Sequence, residues 1–279
     1  MMQVFNTITG LQSTLDDWRA KDRTIAFVPT MGGLHDGHLA LVKLAKQKAD
    51  KVVVSIFVNP TQFSENEDFD QYPNTFEQDV LLLERNQVDG LFSPSVEQIY
   101  PQGLDADIDI GEIGNILCGA SRPGHFQGVV QVVNRLFDIV KPNLAVFGKK
   151  DYQQLLIIKQ MVAQLSLDVK IISHSIVREK DGLAMSTRNQ YLSADERKVS
   201  PNLYKNLLEL KGEIQKGQAI NVAVKQARMQ IEKNFKLDYI ETLDANTLKQ
   251  ITDNTSEIAI LCAIFIGSTR LIDNVIFRR

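Results

Sequence analysis

Two short apolar runs, Ile25-Ala26-Phe27-Val28 and Val52-Val53-Val54-Ser55-Ile56-Phe57-Val58, bracket a segment whose apolar residues recur with helical period. β-Branched residues on both faces of the second run describe a strand covered on both sides, the usual environment of a parallel sheet. After His38, the stripe Leu39, Leu41, Val42, Leu44 and Ala45 and the basic end Lys46, Lys48, Lys51 describe a helix. Strand, helix and strand make a βαβ unit, which requires two parallel strands joined by a crossover.

The alternation continues. Helices are expected over Thr75 to Asn86, Val129 to Val140 and Asp151 to Leu165, and strands over Gly90 to Phe92, Leu144 to Phe147 and Val169 to Val177. An α/β fold follows: a Rossmann-like, doubly wound parallel sheet. Beyond Ser193 the grouping changes to two helices, over 194–211 and 218–234, followed by strands near 237–243, 257–266 and 270–277. This predicts two domains, residues 1–177 and a smaller α+β domain, 178–279, that forms a lid over the site.

Charge limits the ligands. The 279 residues carry 31 basic and 34 acidic side chains, with 15 basic against 21 acidic up to Val177 and 16 against 13 after it. Neither part has the basic surface of a nucleic-acid binder. An anionic ligand must be held by a few placed cations and backbone amides. Cys118 and Cys262 stand far apart in apolar or Gly-rich surroundings, which reads as reduced thiols. The longest apolar run, Ile258 to Ile266, is nine residues, against about 20 for a membrane span. A soluble cytoplasmic protein with neither membrane nor nucleic acid as partner is the expectation.

The first stretch with chemistry in it is PTMGGLHDGH, residues 29–38, between a strand's carboxyl end and a helix's first turn. Ligands of open parallel sheets bind at such ends, and a helix start offers N–H groups and a positive dipole end to phosphate. Gly32 and Gly33 let backbone approach a ligand. His35 and His38, three apart, can face one phosphate chain. A glycine turn with two surface histidines and a zinc pair are the plainer alternatives, although HExxH and a third ligand are missing. The spacings of GxGxxG and of a P-loop are also absent. A second stretch, REKDGLAMSTRN (178–189), offers hydroxyls at Ser186 and Thr187 and a guanidinium at Arg188 that can close on a triphosphate. Taken alone, it also fits a solvated charged loop.

Together, HxGH and the Met-Ser-cation loop resemble the nucleotidyltransferase superfamily. VNPTQF (58–63), RPGHF (122–126) and FGKKDYQQ (147–154) narrow this to a resemblance to the pantothenate synthetases, running from about residue 24 to 200 with the motifs in the family's order. The resemblance implies an ATP-dependent ligase of pantothenate biosynthesis. It joins pantoate to β-alanine through pantoyl adenylate, releases pyrophosphate and AMP, and acts as a homodimer without a tightly bound organic cofactor. Carried over, Met31, Gly32, Gly33, Leu34, His35, Asp36, Gly37 and His38 line the ATP site, with His38 the proton donor. Gly148, Lys149, Lys150 and Asp151 reach phosphate and ribose, Val177 offers backbone to adenine, and Met185, Ser186, Thr187 and Arg188 cover the triphosphate. His35, His38, Lys150 and Arg188 are the expected catalytic set. Gln62 and Gln154 grip pantoate, Asn59 neighbours the carboxylate or the incoming amine, and Mg²⁺ rides on the ATP phosphates with Asp79 as an outer contact.

Three positions depart from the family pattern: Lys149 where glutamate is frequent, His174-Ser175 where Val-Pro is common, and Thr187 where serine is usual. Thr187 keeps the hydroxyl. His174 reads as a strand-end histidine, and His125 fits either a substrate contact or the start of a helix. An adenylyltransferase acting on a phosphate acceptor would share HxGH but lack VNPTQF, RPGHF and KDYQQ. A class I aminoacyl-tRNA synthetase would need a basic RNA surface. A catalytically silent nucleotide-binding regulator would tolerate loss of the histidines and Arg188, which are all present.

Overall fold

The computed structural model describes residues 1–63, 67–101, 103 and 108–279. They form two compact units, residues 1–149 with 157–175 and residues 150–156 with 176–279. Through the first part of the chain run β1 (Gln3–Phe5), α1 (Ile8–Ala20), β2 (Ile25–Thr30), α2 (Asp36–Lys46), β3 (Lys51–Ile56), α3 (Phe76–Arg85) and β4 (Gly90–Phe92). Two single-turn helices, α4 (Val96–Ile99) and α5 (Cys118–Ser121), precede α6 (His125–Val140), β5 (Leu144–Gly148), α7 (Tyr152–Gln164) and β6 (Lys170–His174). Residues 150–156, which include the start of α7, belong to the second unit.

The six strands are all parallel, in the order β1-β4-β3-β2-β5-β6. Both faces of β2 are covered, as its composition requires. Ala26 and Val28 share a core with Leu41, Val42 and Ala45 of α2 and with Val52 and Val54 of β3. Phe27, fully buried, points to the other face, where it meets Phe137 of α6 edge-on at 6.4 Å. Burial of such a ring contributes about 1.5–3 kcal/mol. From β2 the order runs one way through β3, β4 and β1 and the other way through β5 and β6. The switch point therefore lies at the carboxyl ends of β2 and β5, at Thr30 and Gly148, where such sheets open a ligand crevice.

The second unit contains α8 (Ala194–Val199), α9 (Asn202–Gln215), α10 (Ile220–Ile231) and the antiparallel strands β7 (Lys236–Asp244), β8 (Glu257–Ile266) and β9 (Thr269–Arg278), in the order β7-β8-β9. Leu203, Leu207 and Leu210 of α9 and Ala223, Ala227 and Ile231 of α10 pack on alternate residues of β8: Ile258, Ile260, Cys262 and Ile264. Burial pushes the Cys262 thiol far up from its ordinary value, so this cysteine is a packing group.

Several boundaries differ from the sequence expectation. α6 begins at His125 rather than Val129, because RPGH forms its entry, with Gly124 left-handed at φ +82°. The helix expected over 194–211 is two, broken at Ser200-Pro201, where Pro201 has no N–H to continue α8. β6 stops at His174, and β1 and α1 were not anticipated. No helix among the described residues is long and apolar enough to cross a membrane.

Candidate active site

β2 ends in a turn set by its own side chains. Thr30 Oγ1 donates to Ser55 O at 2.7 Å and accepts from Gly32 N at 3.2 Å. Gly32 and Gly33 follow at φ +83° and +62°, which explains a glycine at each position. Their turn wraps around Asp79, on the first turn of α3. Asp79 Oδ2 accepts from Gly33 N at 2.9 Å and from Thr75 Oγ1 at 3.1 Å, and Oδ1 accepts from Leu34 N at 2.8 Å. Asp79 is 2% exposed. The amides of Gly33 and Leu34 are thus held by a carboxylate of the protein, and both Asp79 oxygens are engaged.

The two histidines build the start of α2. His35 is the N-cap, with extended backbone, and its Nδ1 accepts from Gly37 N at 3.1 Å. His38, at the third helical position, accepts from His35 N through its own Nδ1 at 3.3 Å. Imidazoles thus do the work that Ser and Glu do in an ordinary capping box. The rings lie 4.1 Å apart, tilted by 39°. With each Nδ1 lone pair aimed at a backbone donor, each neutral ring carries its proton on Nε2. The helix start so presents two defined N–H tautomers beside the positive end of an 11-residue helix.

A second cluster stands after β3. Residues Pro60–Gln62 form a 3-10 turn capped by Asn59. Asn59 is 1% exposed: its Oδ1 accepts from Tyr100 OH at 2.8 Å and Thr61 Oγ1 at 3.1 Å, and its Nδ2 donates to Gly128 O at 3.1 Å. Asn59 thus supports the turn that carries Gln62. Burial raises the Tyr100 hydroxyl above its ordinary value despite its bonds to Thr61 and Asn59. Gln62 directs Nε2 at the Met31 thioether and receives Asn59 Nδ2 on Oε1 at 3.4 Å. Met31 and Gln62, from separate motifs, are brought together.

RPGH turns out to hold this turn. His125 Nδ1 donates to Gln62 O at 2.7 Å, so its Nε2 accepts from Arg122 NH1 at 3.0 Å. Arg122 also reaches Gln62 O at 3.2 Å and pairs through Nε with Glu67 at 2.6 Å. Gly128 carries no side chain because a Cβ would run into the Thr61 carbonyl. From the sequence, Arg122 stands only as part of RPGHF, and Tyr100 has no assigned role. Nothing in the spacing of either residue points to Gln62.

The remaining expected residues lie largely in the second unit. Past Gly148 and Lys149, a 3-10 turn (Lys149–Asp151) leads into α7; Lys150 Nζ stands 3.9 Å from Asp151 Oδ1, and Gln154 is half-buried one turn on. The loop expected over 178–189 is a built hairpin: Met185 N donates to Val177 O at 3.0 Å and Glu179 N to Leu183 O at 2.8 Å, with Gly182 left-handed at the turn. Ser186 Oγ then caps the 3-10 turn Thr187–Tyr191 by accepting from Arg188 N at 3.3 Å. His174 bonds as a strand end does, from Nδ1 to Ser175 O at 2.7 Å.

A family model described as Pantoate-beta-alanine ligase matches residues 3–276. Among similar chains, the pantothenate synthetase of Vesicomyosocius okutanii is 60% identical over 94% of this chain and 93% of its own. That of Ruthia magnifica is 57% identical over the whole of both. The pantothenate synthetase of Thermus thermophilus is a structural neighbour with TM-score 0.92 and 40% identity, covering 98% of this chain and 99% of that one. The ligase of Francisella tularensis, solved with Beta-gamma ATP and Beta-alanine, has TM-score 0.83 and 37% identity over 99% of this chain and 97% of its own.

Proposed function

Because the chain belongs to the pantoate-beta-alanine ligase family, we propose that it condenses pantoate with β-alanine at the expense of ATP. A pantoate carboxylate oxygen attacks the α-phosphorus of ATP, and pyrophosphate leaves. The β-alanine amine then attacks the acyl carbon of pantoyl adenylate, AMP leaves, and the amine proton is lost to give the amide.

The observation that carries this reading is the imidazole capping box at the switch point. It sets two Nε2–H donors where an anion is favoured by the helix start. His35 and His38 would bind the phosphates, and His38 would donate a hydrogen bond from Nε2–H to the departing pyrophosphate, stabilising the charge that develops on it. Gln62, aligned by Asn59, Arg122 and His125, would grip pantoate, with Gln154 as its second amide. Lys150 and Arg188 would neutralise phosphate charge, with Ser186, Thr187 and Met185 beside them. Asp151 would meet the ribose, Val177 the adenine, and Gly148 and Lys149 the adjoining backbone.

The residues assigned to ATP lie on both units. On this reading nucleotide binding therefore draws on residues 178–279 as a lid. Mg²⁺ would arrive with the ATP phosphates as part of the substrate. Homodimerisation and cytoplasmic action complete the reading, the first checked by light scattering and the second following from the use of ATP.

The test is pantoate-dependent exchange of labelled pyrophosphate into ATP in the absence of β-alanine. Exchange is expected, and His38→Ala should lower it by a factor on the order of 10²–10³, the range for one lost hydrogen-bond donor to charge developing in the transition state. A wild-type protein without exchange would sink the reading, and near-normal exchange in the variant would remove His38 from the chemistry.

A further inference from the structure

Within the second unit, two consecutive residues of β9 hold both segments assigned above to ATP. Asp273 is 3% exposed in β9, and a buried carboxylate is tolerated only when fully partnered. Arg178 supplies a fork, NH1 to Oδ2 at 2.6 Å and NH2 to Oδ1 at 2.8 Å, and the Asn274 N–H adds a third bond at 2.7 Å. The same guanidinium donates to Gly182 O across the hairpin at 3.0 Å and lies 3.4 Å from the centroid of the Tyr204 ring. Gly182, at φ +97°, leaves room for that ring.

Arg178 is the residue after Val177 and opens the hairpin that ends at Met185. The hairpin cannot lift from β9 without stripping the buried Asp273 of its cation. Asn274 acts on the other segment: its Nδ2 donates to Lys150 O at 2.9 Å and so fixes the backbone from which the Lys150 side chain departs.

We propose that Asp273 and Asn274 are positioning residues of the ATP site, one anchoring the hairpin that carries Met185 to Arg188 and the other anchoring Lys150. Neither touches substrate. They act through Arg178 and through the Lys150 carbonyl, and the inference rests on the assignment of those two segments to ATP. An acid followed by a carboxamide at these places in β9 is explained by the two loops, not by the strand.

Asp273→Ala would leave a buried, unpaired arginine and can unfold the unit, so the test uses two milder changes. Asn274→Asp keeps the shape but replaces the donor facing the Lys150 carbonyl with an acceptor. Arg178→Lys keeps the charge but loses the fork. Steady-state kinetics of each purified full-length variant should show the KM for ATP raised about tenfold, the ratio given by one lost hydrogen bond of ordinary strength. The KM for pantoate should stay within about twofold. A merely structural role would lower the fraction of active protein, which scales kcat and leaves both KM values unchanged. Pantoate-dependent exchange by the wild-type protein is measured alongside. Its absence would defeat the functional reading, whereas a normal wild type with unchanged ATP KM in both variants would overturn the positioning role alone.

Discussion

At the turn after β2, Asp79 takes up the backbone N–H groups of Gly33 and Leu34. A buried negative charge behind an anion site is unfavourable in itself. Its use here follows from geometry, because it anchors two adjacent positive-φ glycines beside the bond from Gly32 N to Thr30 Oγ1. Asp79→Asn can satisfy one of the two amides with its carbonyl, but turns an NH₂ toward the other. The expected outcome is a fall of roughly ten- to a hundredfold in kcat/KM for ATP, measured by steady-state kinetics; a change under twofold would leave the turn self-supporting. HxGH was legible because its residue types and its place after an apolar strand both point to phosphate. Asp79 was not legible as a clasp, since it lies 46 positions from Gly33 and only packing joins them. The burial and the partners of Asn59 were not legible either, since they depend on Tyr100 and Gly128, far along the chain.

Helix α6 acts as a bed for the turn that presents Gln62, and Gly128 is where the two backbones touch. Gly128→Ala would push the Thr61 carbonyl off the helix, an overpacking effect of about 1–3 kcal/mol. It should lower the thermal midpoint and raise the KM for pantoate more than that for ATP; an equal rise in both would argue against a local effect on Gln62. Elements with long apolar stripes were readable from periodicity, as β8 and α2 show. Element starts governed by a few polar residues, such as His125 of α6, were not. The β2–β3 pair carries a polar clasp of its own. Thr24 donates to Asp50 through N at 2.9 Å and Oγ1 at 2.7 Å, and these bonds hold the Asp50 carboxyl below its ordinary value. A carboxyl lowered in the folded state stabilises fully above its unfolded pKa, about 3.9, and loses that contribution as pH falls through the lower folded value. The midpoint difference between wild type and Asp50→Ala should therefore be present at neutral pH and shrink under acid, read by circular dichroism melts. A difference independent of pH would assign it to packing instead.

Across the whole molecule, charge is distributed against the proposed chemistry: residues up to Val177 carry six more acidic than basic groups, and the rest carry three more basic than acidic. On the proposed reading, a tetra-anionic nucleotide is then held by a few placed cations and a helix start rather than by the net field of the chain. The path of the chain has a different consequence. Because residues 150–156 belong with 176–279, the polypeptide passes between the units more than once, and no single cut yields two self-sufficient pieces. A fragment ending at residue 177 would keep Lys150 and Tyr152 but lose Asn274 and Ala245, the partners of the Lys150 carbonyl and the Tyr152 hydroxyl. Gene fission at the apparent boundary is thereby disfavoured, because it would split the second unit itself.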